Sequence, residues 1–192
     1  MKVAVFIDGG HTRVLTRQAG NVYNPDYIER LAHQSVVDGE KLLRILYYDC
    51  APYNGKQTLP VSGEEKVFHG SDAWLNDLAR RDLFAVRRGV LKFRGFKPRR
   101  IPIASETLTD SDFKPDFEQK GVDMRIGLDI VRYAATRSIE RVILMSGDTD
   151  CLPAMKRARI EGLQVVLIKF PNHNLSNELQ WHSDFVRAIT WP

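Results

Sequence analysis

The chain has 192 residues, 43% of them hydrophobic, with a formal net charge of +4 and a pI near 9.1. That length suits one globular domain with a sizeable core, and the longest apolar runs, 3–7 and 165–168, are too short for a membrane span or a signal-peptide core, so a cytoplasmic protein with no membrane partner is expected. Neither of the two cysteines, Cys50 and Cys151, belongs to a CxxC pair, which speaks against a disulfide framework or a thiolate zinc site, while the basic balance favours a polyanionic partner.

Lys2 to Ile7 is a continuous, β-branched apolar run closed by Gly9-Gly10, the pattern of a central parallel strand buried on both faces. Pro25 and Asp26 open a predicted helix to about Val36, and Lys41 to Tyr48 reads as the second strand, which makes the first crossover βαβ. A helix is predicted from Glu64 to Arg81 with Val67, Trp74, Leu75 and Leu78 inward, followed by a third strand from Phe84 to about Phe93. Phe96 to Gln119 loses periodicity and holds Pro98, Pro102 and Pro115, so a long surface excursion over about 96–120 is expected within the domain. Order returns with a helix over Met124 to Thr136, a buried strand over Arg141 to Met145, a helix over 151–161, a strand over 164–169, a short helix near 175–183 and a strand near 185–190. This alternation predicts an α/β fold with a mostly parallel sheet covered by helices on both faces.

Open α/β sheets bind ligands beyond the carboxyl ends of their strands, near the point where strand order reverses. Asp8 and Asp148 each directly follow a predicted strand, Asp150 lies two residues further on, and Asp123 stands at a helix start. Like-charged carboxylates gathered in one cleft raise one another's pKa or bind a cation, and an oxygen-only ligand set suits Mg²⁺ or Mn²⁺. One or two such ions can activate water and stabilise charge on a phosphate, which makes metal-assisted phosphodiester hydrolysis the leading chemistry. Taken singly, each acid also fits a turn or helix cap.

VFIDGG, KGVD and SGDTD, in this order, resemble the three signature blocks of NYN domains of the LabA/DUF88 type, within the PIN-like nuclease superfamily, and the resemblance runs over roughly residues 1–190. It implies a three-layer α/β/α sandwich, a divalent-metal site at the strand ends and ribonuclease activity, with Asp8, Asp123, Asp148 and Asp150 at the family's acidic positions. Single-stranded or structured RNA is the expected substrate, DNA stays open as a second, and a homo-oligomer is compatible with this reading. The chain departs from the pattern at His11, where Asn commonly stands, and at Cys151, where an aromatic residue is common.

His11 and Ser146 are candidates to support the site, His11 through a phosphate or water contact and Ser146 through its hydroxyl. Asp129 also looks like a recurrent family acid. Six residues at about 100° each, however, turn it about 240° from Asp123, so it ranks below the other four. Arg87, Arg88, Lys92, Arg94, Lys97, Arg99 and Arg100 fall in an acid-free run with Phe93 and Phe96 interleaved, as expected of a track for a single-strand backbone and its bases; the same run also fits a solvated strand face. The acidic stretch from Glu106 to Glu118 reads as a gating flap or a soluble loop. A P-loop and a GxGxxG fingerprint are both missing, which disfavours NTPase and dinucleotide functions. Two alternatives stay open: a nucleic-acid-binding or regulatory module with little catalysis, and a phosphatase with an aspartyl nucleophile, although such enzymes usually place a second Asp where Gly10 stands.

Overall fold

A computed structural model describes residues 1–103 and 107–192. Its centre is β1 (Lys2–Asp8), whose Val3 to Ile7 are fully buried. β1 lies in a seven-stranded sheet between β2 (Lys41–Cys50) and β7 (Arg141–Met145), parallel to both. Beyond β2 lies β5 (Phe84–Pro98), and beyond β7 lie β8 (Gln164–Lys169) and β9 (Phe185–Ala188), all parallel. Strand order therefore reverses between β1 and β7, and this switch point opens a crevice at the carboxyl ends of those two strands.

Alternate residues of β1 feed two separate cores. Ala4 and Phe6 pack with Ile126 and Ile130 of α4 (Val122–Thr136) and with Met155 and Ala158 of α5 (Leu152–Ile160). Val3, Val5 and Ile7 pack on the other face with Ile28 and Leu31 of α2 (Pro25–Gln34) and with Leu75 and Leu78 of α3 (Ala73–Ala79). The molecule is thus a three-layer α/β/α sandwich with a mostly parallel sheet, as the alternation and the resemblance imply. No described helix is long and apolar enough to cross a membrane.

Three readings are revised, chiefly by contacts distant in sequence. Gly9-Gly10 closes β1, and α1 (Gly9–Gln18), a helix missing from the predicted elements, starts there with Asp8 as its N-cap. A Cβ on Gly9 would lie 2.4 Å from the Tyr47 hydroxyl, so glycine is required by close packing, not by a turn. The predicted helix over 64–81 begins instead with a strand and is helical only in α3: β3 (Gly55–Thr58) and β4 (Glu65–Phe68) form an antiparallel hairpin, and Val67 is exposed instead of inward. Phe68 turns toward Tyr53, Phe93 and Phe117 in an aromatic cluster that no helical register could satisfy.

The third revision is the surface excursion. β5 continues to Pro98, and β6 (Phe113–Lys120) returns antiparallel beside it as the edge strand. Pro115 is tolerated there because an edge strand has one side free of ladder bonds. A short α6 (Asn177–Trp181) precedes β9 and buries Leu179.

At the pole opposite the crevice, Glu40 accepts from Arg141 of β7 and from Arg187 of β9, tying the start of β2 to both strands. Burial alone would raise its carboxyl pKa, but Arg187, the Val37 amide and Arg141 together hold it at about 2. A depressed acid contributes stability above its unfolded pKa and loses it as pH falls through the folded value, here between about 4.5 and 2. Glu40→Gln is expected to cost about 1–2 kcal/mol at pH 7, allowing for solvent near the pole, and to flatten acid unfolding over that window. Urea melts of both proteins at pH 7 and pH 3 check this.

Candidate functional site

Asp8 ends β1 at the switch point and is 7% exposed. Its Oδ1 accepts the His11 amide at 3.1 Å, which caps α1, and its Oδ2 accepts the Ser146 hydroxyl at 3.2 Å. Ser146, buried just beyond β7, also accepts the Asp148 amide at 3.1 Å, so one hydroxyl joins the acids that follow the two central strands. Asp148 in turn accepts the Asp150 amide at 2.9 Å, tightening the turn into α5. Asp123 reaches the same cleft from the first turn of α4.

Among the described residues, Asp123, Asp148 and Asp150 each offer a ligand atom within 4.8 Å of the others. Asp8 lines the cleft beside Asp123 and Asp148 but stands outside this tight group, its two oxygens accepting from the His11 amide and the Ser146 hydroxyl. All four acids singled out in the sequence thus face one cleft, three of them as a tight group. The cleft has a volume of about 610 Å³. Its donors are all carboxylate oxygens, the set that hard divalent cations prefer.

Electrostatics match that picture. Burial pushes the Asp8 carboxyl up to about 6, opposed by the His11 and Ser146 hydrogen bonds and reinforced by Asp123 and Asp49. Burial also raises Asp123, with Asp148 and Asp150 adding to the rise. These carboxylates ionise together only at a cost, and a bound cation removes it. Cys151, fully buried behind Ser146, is pushed up to about 12, chiefly by burial, and is a packing residue rather than a nucleophile.

His11 lies in the cleft wall, its ring 5.1 Å from that of His173, and a Cβ on Gly147 would come within 2.6 Å of it. Burial first, then His173, lowers its pKa to about 4 against the pull of Asp148, so this histidine is neutral at pH 7 and does not titrate near neutrality as its residue type suggests. Asp129 points away from the cleft: it accepts Arg87 Nε at 2.9 Å and the Tyr48 hydroxyl at 3.0 Å beside a different cavity.

The basic run is also less free than it reads. Arg87 pairs with Asp129, Arg88 with Asp72, Arg94 with Glu118 and Lys97 with Asp116. The acids missing from the run itself arrive from α3, α4 and β6. Lys92, Arg99 and Arg100 have no carboxylate partner within ion-pair distance among the described residues, and Arg99 donates to the Ser111 carbonyl. Residues 113–120 are not a flap, and Glu106 lies outside the described residues.

Sequence reasoning missed Asp49. It ends β2 in LYYDC, is 1% exposed, and accepts from Arg13, from the Tyr47 hydroxyl at 3.0 Å and from the Cys50 amide at 2.8 Å. The strand-end rule that singled out Asp8 points to it as well, since Asp49 directly follows the predicted strand Lys41 to Tyr48.

The sequence model of the NYN domain matches residues 2–189. The chain belongs to the NYN domain family. Its fold is similar to the crystal structure of a protein of unknown function from Vibrio parahaemolyticus, with a TM-score of 0.56 and 18% identity over 98% of this chain and 92% of that one. No curated protein matches it. In this NYN domain the three motif blocks are the ends of β1 and β7 and the start of α4, which explains why the family pattern is spread along the chain.

Asp8 holds its proton more tightly when folded than when unfolded, so in metal-free buffer stability falls as pH rises from about 4 through about 6. Asparagine caps a helix as well as aspartate does. Asp8→Asn is therefore expected to stabilise the metal-free protein at pH 7.5 by up to about 2–3 kcal/mol, raising Tm by roughly 4–8 °C. Calorimetry across pH 4–8 should show the descent in wild type and its absence in the variant.

Proposed function

We propose that this NYN domain is a divalent-metal-dependent ribonuclease of the LabA/DUF88 type that hydrolyses RNA phosphodiester bonds at the cleft between β1 and β7. The observation that carries this reading is the convergence of Asp123, Asp148 and Asp150 within 4.8 Å beside the buried Asp8. Asp123, Asp148 and Asp150 would hold Mg²⁺ or Mn²⁺. When bound, such an ion neutralises phosphate charge and makes water a stronger acid.

The chain's own groups supply the rest. Asp8, with its carboxyl near 6, can accept or hold a proton close to neutral pH, and the His11 amide with the Ser146 hydroxyl fixes its orientation. Gly10 leaves the N-terminal turn of α1 open to the cleft, where the positive end of the helix favours an anionic phosphate. Neutral His11 can donate or accept one hydrogen bond without adding charge. Lys92, Arg99 and Arg100, without a carboxylate partner among the described residues, can attract a polyanion, while the paired members of the basic run orient β5 against its neighbours. The aspartyl-phosphatase alternative has less support, because Asp8 is engaged through both oxygens and Gly10 replaces the second acid.

The test is cleavage of a labelled single-stranded RNA. Activity should disappear with EDTA and return with Mn²⁺ or Mg²⁺. Asp148→Asn and Asp123→Asn should fall to the level of chelated wild type while their circular dichroism and melting stay native-like. RNA binding without metal-dependent cleavage would instead favour a binding or regulatory module, and undiminished cleavage in both variants would sink the site.

A further inference from the structure

A second cavity, of about 360 Å³, adjoins the acidic cleft, and Gln119 lines both. Gly10 and Gln119 form the sill between them, packed so closely that a Cβ on Gly10 would lie 2.9 Å from Gln119 Oε1. Helix α1 divides the two spaces. Gly10, His11 and Val14 face the acids, while Arg13 and Arg17, one turn apart, face the second cavity. The volume falls within the ~300–1,000 Å³ typical of pockets for small molecules and cofactors.

We propose that this second cavity is a nucleoside subsite, which holds the RNA residue next to the scissile phosphate with its base against Trp74 and its far phosphate on Arg17. The proposal rests on the ribonuclease reading of the neighbouring cleft and deepens it.

The lining chemistry suits that occupant. Trp74 is fixed by edge-on contacts, its ring 5.9 Å from Tyr47 and 6.5 Å from Tyr23, so its indole is positioned before any ligand arrives. An aromatic wall of this kind accepts any base, because every base has a π-face. Beneath it, buried Asp49 is saturated by Arg13, Tyr47 and Cys50, and takes the Gln119 Nε2 amide at 3.4 Å. Asp49 therefore holds Arg13 and Gln119 in place and repels no phosphate, its charge being neutralised by Arg13. Gln119 Oε1 has no donor among the described residues and faces a base edge. Arg17 is exposed and has no carboxylate within ion-pair distance among the described residues, so its charge is available to a backbone phosphate. A polymer crossing the Gln119 sill would present a phosphate to the acids on one side and a base and phosphate to Trp74 and Arg17 on the other.

The experiment is an abasic scan. Binding of a short single-stranded RNA is measured by titration calorimetry in an Asp148→Asn background, which removes turnover and one of the repelling charges. One abasic position should weaken binding roughly 5- to 100-fold. In Trp74→Leu the same abasic residue should make no further difference, while Trp74→Phe keeps the sensitivity and guards against a folding defect. Arg17→Gln, at an exposed position, should lower the slope of log affinity against log salt by about 0.7, the value for one single-strand phosphate. The subsite is overturned by absence of RNA binding, by indifference to every abasic position, or by a Trp74→Leu protein still sensitive at the same one. A protein that shows the expected pattern but whose Asp148 form never cleaves RNA retains the subsite and loses the nuclease reading. Cleavage together with indifference to Trp74 and Arg17 does the reverse.

Discussion

Burial of the Asp8 carboxylate at the end of the central strand is the constraint around which the functional edge is arranged. β1 can be the middle of the sheet only because both its faces are apolar, and that same burial leaves its last residue, Asp8, largely withdrawn from water. The carboxyl is kept tolerable by two donors from different elements, the His11 amide and the Ser146 hydroxyl. Neither donor removes the cost of ionisation in full, and Asp123 adds to it. Buried carboxylates with such incomplete compensation are a cost to stability and cluster at functional sites.

The same edge carries a second buried acid with the opposite solution. Asp49 lies near the end of β2, one residue beyond the register partner of Asp8, yet it is compensated by a guanidinium, a phenol and an amide. One acid is left under-compensated and faces the Asp123, Asp148 and Asp150 carboxylates; the other is saturated and serves as a girder. Gly9 allows this arrangement, because only a residue without a side chain lets α1 sit against Tyr47 and Asp49. Two cavities of different character thus share one wall, acidic on one side and lined by Trp74 and Arg17 on the other.

Legibility in the sequence followed how local the deciding forces were. β1, β2, β7 and β8 were readable because strands buried on both faces are continuous apolar runs, and the long α4 because its apolar stripe repeats at helical spacing. α1 was not readable, since its first two residues are glycines whose reason lies in Tyr47, Asp49 and Gln119, all distant in sequence. β4 read as helix because Val67 falls in the register of Leu75 and Leu78, whereas β4 pairs with β3 and its Phe68 packs on the rings of Tyr53 and Phe117. β6 was hidden by Pro115, which only an edge position excuses.

By itself the sequence determined the alternating α/β architecture and the short list of acids at strand and helix ends, because burial periodicity and the residues that punctuate it are properties of adjacent positions. It also assigned Asp129 to a different side of its helix from Asp123, through helix geometry alone. Tertiary structure decided which acids meet: Asp123, Asp148 and Asp150 as a tight group, Asp8 capped beneath them, and Asp49 turned into framework. It likewise decided that four of the seven cations in the basic run are spent on partners from α3, α4 and β6. Charges interact through space with an energy set by distance and burial, and neither quantity is written in the order of residues along the chain.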